Sequence, residues 1–213
     1  MTLPIRGLHL EYDARVVHLW SDEPLTVLSS AVVGSELTQT RHVVNLHVTH
    51  GYANRALCDD LNAFARELGI SEPFVGLMTT AKTECAQVVI ERAAAATVVA
   101  ITTVDVSHPI AAGVTAAARV ESSTINIVIV ADVTLIQAAR VNAVITATEA
   151  KTLALIEKDL RAPDGGFASG TGTDSIVIAT TERGATHEYA GSISPLGALI
   201  AHAVRRAILS ALQ

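Results

Sequence analysis

The sequence predicts an α+β fold, in which a mixed, largely antiparallel sheet, or two packed sheets, is covered by long helices in a layered sandwich. Strand-like segments occur in groups between isolated helical segments, so the regular alternation that builds a parallel α/β sheet is missing. Half of the residues are hydrophobic but only 3% are aromatic, which indicates a large core of Ala, Val, Ile and Leu. Because no repeat or long linker divides the chain, we expect residues 1–213 to form one domain.

Strand signals dominate the first half of the chain. The pattern of residues 8–20 predicts a hairpin. Asn45, His47 and Thr49 share one face of a strand predicted at 41–49, and that face is either solvated or lines a pocket. The other predicted strands are 25–28, 74–78, 86–91, 97–103, 124–130 and 175–180, with a loop at 105–120.

Three segments have helical periodicity, at about 53–68, about 134–160 and 195–212. Ser194 is a suitable N-cap for the last helix, and Pro195 fits its first position. Asp132 or Thr134 can cap the long second helix. We therefore expect one short and two long helices over the sheet.

A loop of alternating glycine and threonine, residues 168–174, precedes the strand at 175–180. Its glycines let another group approach the backbone closely, and Thr171 and Thr173 add hydroxyl groups. Asp174 closes the loop where the chain enters the core. The pattern suits binding of a polar or anionic group by backbone N–H groups, or it is a tight turn closed by an Asx hydrogen bond.

Charge and motif content disfavour several classes of protein. The net charge of −6, with no basic cluster interleaved with aromatics, argues against a nucleic-acid partner. Cys58 and Cys85 lack CxxC spacing, and we expect both to be packing residues. The motifs GxSxG, HExxH and GxxxxGK[ST] are missing, and His42 and His47 would point to opposite faces of one strand, which disfavours a shared metal. Without a signal segment or a long uncharged apolar run, a cytoplasmic protein with no membrane partner is expected.

Polar side chains gather at the predicted strand ends. Hydroxyl and amide groups there can orient a polar substrate, and a carboxylate can act as general base toward water. Hydrolysis of an unreactive bond also needs a donor that stabilises the oxyanion. On the long helix, Asn142, Thr146 and Glu149 form a polar stripe that we expect to be half buried, although Glu149 also fits a surface position near Lys151. The strand-end candidates are Ser29, Ser30, Asn45, Thr79, Asn126, Thr171, Thr173 and Asp174.

Several of these segments together resemble the CbiZ-type adenosylcobinamide amidohydrolase family. The most specific matches are residues 145–152, Ile-Thr-Ala-Thr-Glu-Ala-Lys-Thr, and residues 171–174, Thr-Gly-Thr-Asp. The other matching pieces occur in the family's order, so that the resemblance spans about 29–204. They are 29–31 with Gly34, Asn45, 76–79, 124–127, 189–191, 196–197 and 203–204.

The resemblance implies a reaction of corrinoid salvage. Such enzymes hydrolyse the amide that joins the propionate of the corrin ring to aminopropanol, which gives adenosylcobyric acid and aminopropanol. The cobalt belongs to this small-molecule substrate, so the resemblance implies no protein-bound metal and no other cofactor; a homo-oligomer is left open. The catalytic mechanism does not follow from the resemblance, and our hypothesis is that Glu149 or Asp174 activates water as the catalytic residue. The substrate-binding residues of the same hypothesis are Ser29, Ser30, Asn45, Asn126, Thr146, Thr171 and Thr173.

The chain also departs from the family pattern. Val104 replaces a glycine, Ser107 an asparagine, Ser123 a glycine and Ile193 a histidine. Ile193 cannot replace an acid, a base or a donor. Three functions therefore stay open: an active corrinoid amidohydrolase, a corrinoid-binding relative that has lost catalysis, and an amidohydrolase acting on another amide.

Overall fold

The computed structural model describes residues 1, 3–52, 56–94, 96–117 and 122–213. Within these ranges the chain forms three α-helices, α1 (Leu57–Glu67), α2 (Gln137–Glu157) and α3 (Pro195–Ala211). The strands of the same ranges are β1 (Leu8–Tyr12), β2 (Val16–Ser29), β3 (Gln39–His47), β4 (Val75–Thr79), β5 (Gln87–Ala93), β6 (Ala96–Val104), β7 (Pro109–Ile110), β8 (Ile125–Ala131), β9 (Thr134–Leu135), β10 (Gly170–Thr171), β11 (Ser175–Thr180) and β12 (Thr186–His187).

Eight strands form one mixed sheet in the order β4-β3-β2-β11-β8-β6-β5, with β1 paired to β2. The β3–β4 and β8–β11 pairs are parallel, and the remaining neighbours in this sheet are antiparallel. The prediction of a mixed, largely antiparallel sheet is therefore confirmed. The short strands β7 and β10 pair with each other, as do β9 and β12.

Strand β2 belongs to both halves of this sheet. Its first part pairs with β1 and β3, whereas its last four residues pair with β11. The register shifts between Trp20 and Leu25, and such an irregularity bends a strand and increases its twist. As a result β3 lies against β6, where the Asn45 amide donates to the Thr103 hydroxyl. One bent sheet thus supplies both layers of the sandwich, so the separate strand predicted at 25–28 is the end of β2.

Apolar side chains fill the space between the two sheet layers, and they also cover the outer face of each layer. Helix α1 covers the first layer through Leu61 and Phe64, and α2 and α3 cover the second. In β8, Ile127 faces these helices and Val128 faces the space between the layers. Because β8 is buried on both faces, its residues 127–131 are all apolar, and Asn126 is its one polar position. The predicted layered arrangement of helices over sheet is confirmed.

Local sequence signals explain two boundaries. Asp13 closes the predicted β1–β2 hairpin, where its Oδ1 accepts a hydrogen bond of 3.1 Å from the Val16 N–H. Ser194 is the N-cap of α3, since its hydroxyl accepts from the Gly197 N–H at 3.1 Å, and Pro195 occupies the first position. Both predictions are confirmed.

The start of α2 differs from the prediction. The helix begins at Gln137, and its N-cap, Ile136, provides no side-chain hydrogen bond. Thr134 lies instead in β9, and the carboxylate of Asp132 accepts from Thr181 at 2.7 Å. The predicted cap by Asp132 or Thr134 is wrong because both residues have other partners.

Other corrections are smaller. Both Cys58 and Cys85 are exposed, so their predicted packing role is wrong. Helix α1 begins at Leu57, and the predicted residues 53–55 lie outside the described part of the chain. The predicted loop 105–120 contains β7, and its residues 118–120 are likewise outside the described ranges. No helix of the described part combines the length and apolarity needed to cross a bilayer.

Candidate functional site

A pocket of about 440 Å³ lies between α2 and the adjoining ends of β2 and β11. Strand pairing builds one wall, because Val177 of β11 is the register partner of Ser29 at the end of β2. Helix α2 supplies the opposite wall. The lining residues are Leu28, Ser29, Ser30, Val141, Val144, Thr148, Lys151, Asp174 and Ile176. Three predicted site residues, Ser29, Ser30 and Asp174, are thus brought together.

The charged group of this pocket is an ion pair between Lys151 and Asp174. Lys151 Nζ donates to Asp174 Oδ2, and their side chains are only 8% and 14% exposed. A buried charge is tolerated when it is paired, and removal of one partner leaves the other uncompensated. The backbone of Gly170 closes over the pair: a Cβ there would overlap Asp174 Oδ2 and lie 2.6 Å from Lys151 Nζ. Glycine is therefore required at position 170 because the side chains of Asp174 and Lys151 lie against its backbone.

The other oxygen of Asp174 organises the Gly-Thr loop. Oδ1 lies 2.6 Å from the Thr171 hydroxyl and accepts from the N–H groups of Thr171 (3.2 Å) and Ile125 (3.1 Å). The Thr173 hydroxyl donates to the carbonyl of Ser123 at 2.8 Å. Of the two interpretations of this loop, the tight turn closed by an Asp side chain is the one observed. The carboxylate accepts from protein donors on both oxygens.

Asn45 and Asn126 meet in the space between the sheet layers, next to this pocket and outside its lining. Asn126 Nδ2 donates to Asn45 Oδ1 at 2.9 Å and to the Met78 carbonyl at 2.8 Å. Asn45 Nδ2 donates to the Thr103 hydroxyl at 2.9 Å, which in turn donates to Thr79 at 3.3 Å. Buried polar groups are stable when they form hydrogen bonds with one another, and such a network fixes the relative position of the strands that carry them.

The residues of the predicted polar stripe on α2 separate. Thr146 is buried and donates to the Ala190 carbonyl at 2.8 Å, which anchors the segment before α3. Glu149 is exposed, so the prediction that the stripe is half buried holds only for Asn142. Glu149 lines a shallow depression of about 550 Å³ that shares Val144 and Thr148 with the pocket.

Lys151 was not among the residues that the sequence predicted for the site. A signal was present, because Lys151 is four residues from both Ala147 and Leu155, which are buried apolar positions of the same helix. Residues i and i+4 share a helix face, so helical spacing places Lys151 on the buried side. A lysine on that side requires a carboxylate partner, and Asp174 supplies it.

The histidines of β3 have separate partners. His42 Nε2 is 3.2 Å from Glu72 Oε1, whereas His47 Nδ1 is 3.0 Å from the Ala81 carbonyl oxygen. The expectation that they point to opposite faces is confirmed. Within the described ranges, no three His, Cys, Asp or Glu side chains are grouped so that they could hold a metal ion.

Three of the four departures from the family pattern lie away from the Lys151–Asp174 pocket, whereas the carbonyl of Ser123 accepts hydrogen bonds from Thr171 and Thr173 of the loop that carries Asp174. Ile193 is fully exposed in the segment before α3. Val104 and Ser107 line a different cleft, at the ends of β3, β4 and β6. None of the three contributes to the lining of the pocket.

The fold and the site define a layered α+β protein with a buried lysine–aspartate pair in a pocket at its strand ends. The chain belongs to the CbiZ family, adenosylcobinamide amidohydrolase, whose model matches residues 5–213. The predicted family membership is confirmed, and the family is one of hydrolases.

Two relatives and two solved structures are similar to the chain. An adenosylcobinamide amidohydrolase of Methanosarcina mazei is 33% identical over 158 residues, which cover 70% of this chain and 71% of that protein. An uncharacterized protein of Methanocaldococcus jannaschii is 38% identical over 94 residues, 43% of this chain, and the match spans only 36% of that protein. The PH0078 protein of Pyrococcus horikoshii OT3 has a TM-score of 0.55 at 14% identity, over 95% of this chain and 78% of the other. A β-aminopeptidase of Burkholderia sp. has a TM-score of 0.55 at 12% identity, over 98% and 84%. At these identities the two structures support the fold alone.

Proposed function

We propose that the protein hydrolyses the aminopropanol amide of adenosylcobinamide, releasing adenosylcobyric acid and aminopropanol. The observation that carries the proposal is the buried Lys151–Asp174 pair, which lines the pocket in a chain whose family match spans residues 5–213. The name of the Methanosarcina relative adds support. The cobalt enters as part of the substrate.

Lys151 is proposed as the donor to the amide oxygen. When water attacks an amide, negative charge develops on that oxygen, and a fixed donor in a water-poor site stabilises it strongly. Asp174 holds Lys151 in place, and Ser29 and Ser30 at the end of β2 are close enough to line the same space. In this arrangement Asp174 acts by positioning the lysine.

Glu149 is proposed as the group that activates water. Both oxygens of Asp174 already accept from Lys151, Thr171 or Ile125, whereas the Glu149 carboxylate is exposed and makes no hydrogen bond to any described residue. Water would add to the amide carbon, the C–N bond would break, and the proton taken from water would pass to the leaving amine. Asp174 remains the alternative base, because it lines the pocket beside Lys151 whereas Glu149 lines the adjoining depression, and the Glu149→Gln variant described below separates the two.

The corrin ring is proposed to lie against the depression on α2. Ile145 and Leu153 are 50% and 59% exposed there, which is unusual for large apolar side chains on a packed helix. The Thr148 hydroxyl donates to the Val144 carbonyl at 2.8 Å, so Thr148 presents its methyl group to the ligand. Leu153→Glu is expected to raise KM at least ten-fold and to leave kcat nearly unchanged, in steady-state assays of amide hydrolysis.

The test is incubation of the purified protein with adenosylcobinamide, without added metal, followed by mass spectrometry for both products. We expect turnover by the wild type and a loss of about 10²–10³-fold in kcat for Lys151→Met, the typical effect of removing an oxyanion donor. Lys158→Met is the matched control, because Lys158 is exposed at the end of the same helix. Circular dichroism of each variant shows whether it is folded.

Each result assigns a role or removes one. Loss of activity in Glu149→Gln, a change at an exposed side chain, supports Glu149 as the base, and retention of activity in that variant leaves Asp174 as the base. Asp174→Asn is expected to lose activity in either case, because Asp174 also holds Lys151 in place. Full activity in both variants would remove both from the reaction. A wild type that binds the corrinoid without releasing either product would favour the corrinoid-binding relative, and turnover of other amides without corrinoid affinity would favour a different substrate.

A further inference from the structure

A second cleft, of about 670 Å³, opens at the ends of β3, β4 and β6 beside the C-terminal end of α3. It shares no lining residue with the Lys151–Asp174 pocket. The face of β3 that carries His47, which the sequence left as either solvated or pocket-lining, contributes to it. The proposed hydrolysis uses none of its side chains.

Asp105 is the fixed anionic group of this cleft. The Thr80 hydroxyl donates to its Oδ2, the Ser107 N–H donates to its Oδ1 at 3.0 Å, and the side chain is 11% exposed. Burial disfavours the charged form, but the hydrogen bonds from Thr80 and Ser107, together with nearby His50, outweigh it and hold the pKa of Asp105 below its ordinary value. The carboxylate is therefore ionised at neutral pH.

The partners around Asp105 differ in how firmly they are held. His50 Nε2 is 3.4 Å from Asp105 Oδ2, beyond ordinary hydrogen-bond length, and the side chain of His50 is 58% exposed. The imidazole can therefore move away without breaking a buried contact. Lys82, on the same rim, is exposed and can remain in solvent.

His47 provides a hydrogen-bond acceptor on the same wall. Its Nδ1 lies 3.0 Å from the carbonyl oxygen of Ala81, which can only accept, so Nδ1 carries the proton. In the neutral ring Nε2 is then the unprotonated nitrogen. Val104 and Leu212 supply an apolar wall to the cleft.

We propose that this cleft binds a short aliphatic primary amine in its ammonium form. The ammonium group pairs with Asp105 in place of His50, the carbon chain lies against Val104 and Leu212, and a hydroxyl on the chain can donate to His47 Nε2. A cation is favoured over an anion because the buried charge of the cleft is the Asp105 carboxylate. The inference stands without the proposed hydrolysis, although the amino alcohol released by that reaction belongs to this class of ligand.

The experiment is an NMR titration of the histidine ring signals with 1-amino-2-propanol, compared with 1,2-propanediol, which has the same carbon skeleton without a charge. We expect saturable shifts of the His47 and His50 signals with the amine only. The two signals are identified by their loss in His47→Asn and His50→Ala. Asp105→Asn, which keeps an acceptor for Thr80, is expected to weaken amine binding at least ten-fold.

One control and one gain of affinity complete the test. Asp22 is another carboxylate paired with a histidine, His9 at 2.9 Å, but this pair lies on the open surface. The Asp22→Asn variant should therefore bind the amine like the wild type. His50→Ala is expected to bind the amine about three-fold more tightly because the competing imidazole is gone, a result that misfolding cannot produce. The proposal is overturned by absence of saturation, by equal shifts with the diol, or by unchanged binding in Asp105→Asn.

Discussion

The protein holds two aspartates at the same end of its sandwich in opposite ways. Asp174 is paired with a lysine from the middle of a helix and is closed in by Gly170. Neither partner can therefore move away without leaving the other charge buried and unpaired. Asp105 faces a half-exposed histidine at a distance that allows exchange. The first arrangement suits a fixed catalytic donor, and the second suits a carboxylate that changes its partner when a ligand arrives.

The two sites are also connected by the backbone between them. Ser123 accepts at its carbonyl from Thr171 and Thr173 of the Asp174 loop. Its hydroxyl donates to the Asp105 carbonyl at 2.9 Å. The same short segment therefore positions both loops. The two carboxylates differ in how firmly they are held because their side-chain partners differ: Lys151 for Asp174 and His50 for Asp105.

The largest effect is expected when the lysine–aspartate pair is broken. Lys151→Met leaves Asp174 buried and uncompensated, which should lower the free energy of unfolding by about 3–5 kcal/mol in urea titrations. The double variant Lys151→Met, Asp174→Asn removes both charges and should recover part of that loss. Lys158→Met, an exposed substitution on α2, should change it by less than about 0.5 kcal/mol. If Lys151→Met is as stable as this control, the pair is not buried as described.

The next effect is expected at the glycine that closes over the pair. Gly170→Ala places a methyl group against Asp174 Oδ2 and Lys151 Nζ, which should lower the free energy of unfolding by about 1–3 kcal/mol. Gly191→Ala is the control, since a Cβ there meets no atom within 4 Å. In a Lys151→Met, Asp174→Ala background, which removes the overlapping carboxylate and ammonium groups, the cost of Gly170→Ala should shrink. An equal cost in both backgrounds would show that the methyl group clashes with something else.

The sequence predicted the layers of this fold better than it predicted the site. Strand alternation and helix caps are local signals, so the β1–β2 hairpin and the start of α3 could be found from a few residues each. Asn45 and Asn126 are 81 residues apart and come into contact because β2 bends. No local sequence pattern predicts that bend. Lys151 had a local signal in its helical spacing, but its partner lies in a loop 23 residues later.

The smallest effect concerns the pH dependence of Asp105. Because its pKa is lowered in the folded state relative to the unfolded chain, Asp105 contributes stability above its unfolded value of 3.8 that is lost as the pH falls through the folded value. The difference in unfolding free energy between wild type and Asp105→Asn should therefore be constant at neutral pH and narrow as the pH falls below about 4. Urea titrations at a series of pH values measure this difference, with Asp22→Asn as the exposed His–Asp comparison. A difference that stays constant through the acid range would show that the ionised form of Asp105 is not favoured by Thr80 and Ser107, and the contrast between the two carboxylates would then rest on burial alone.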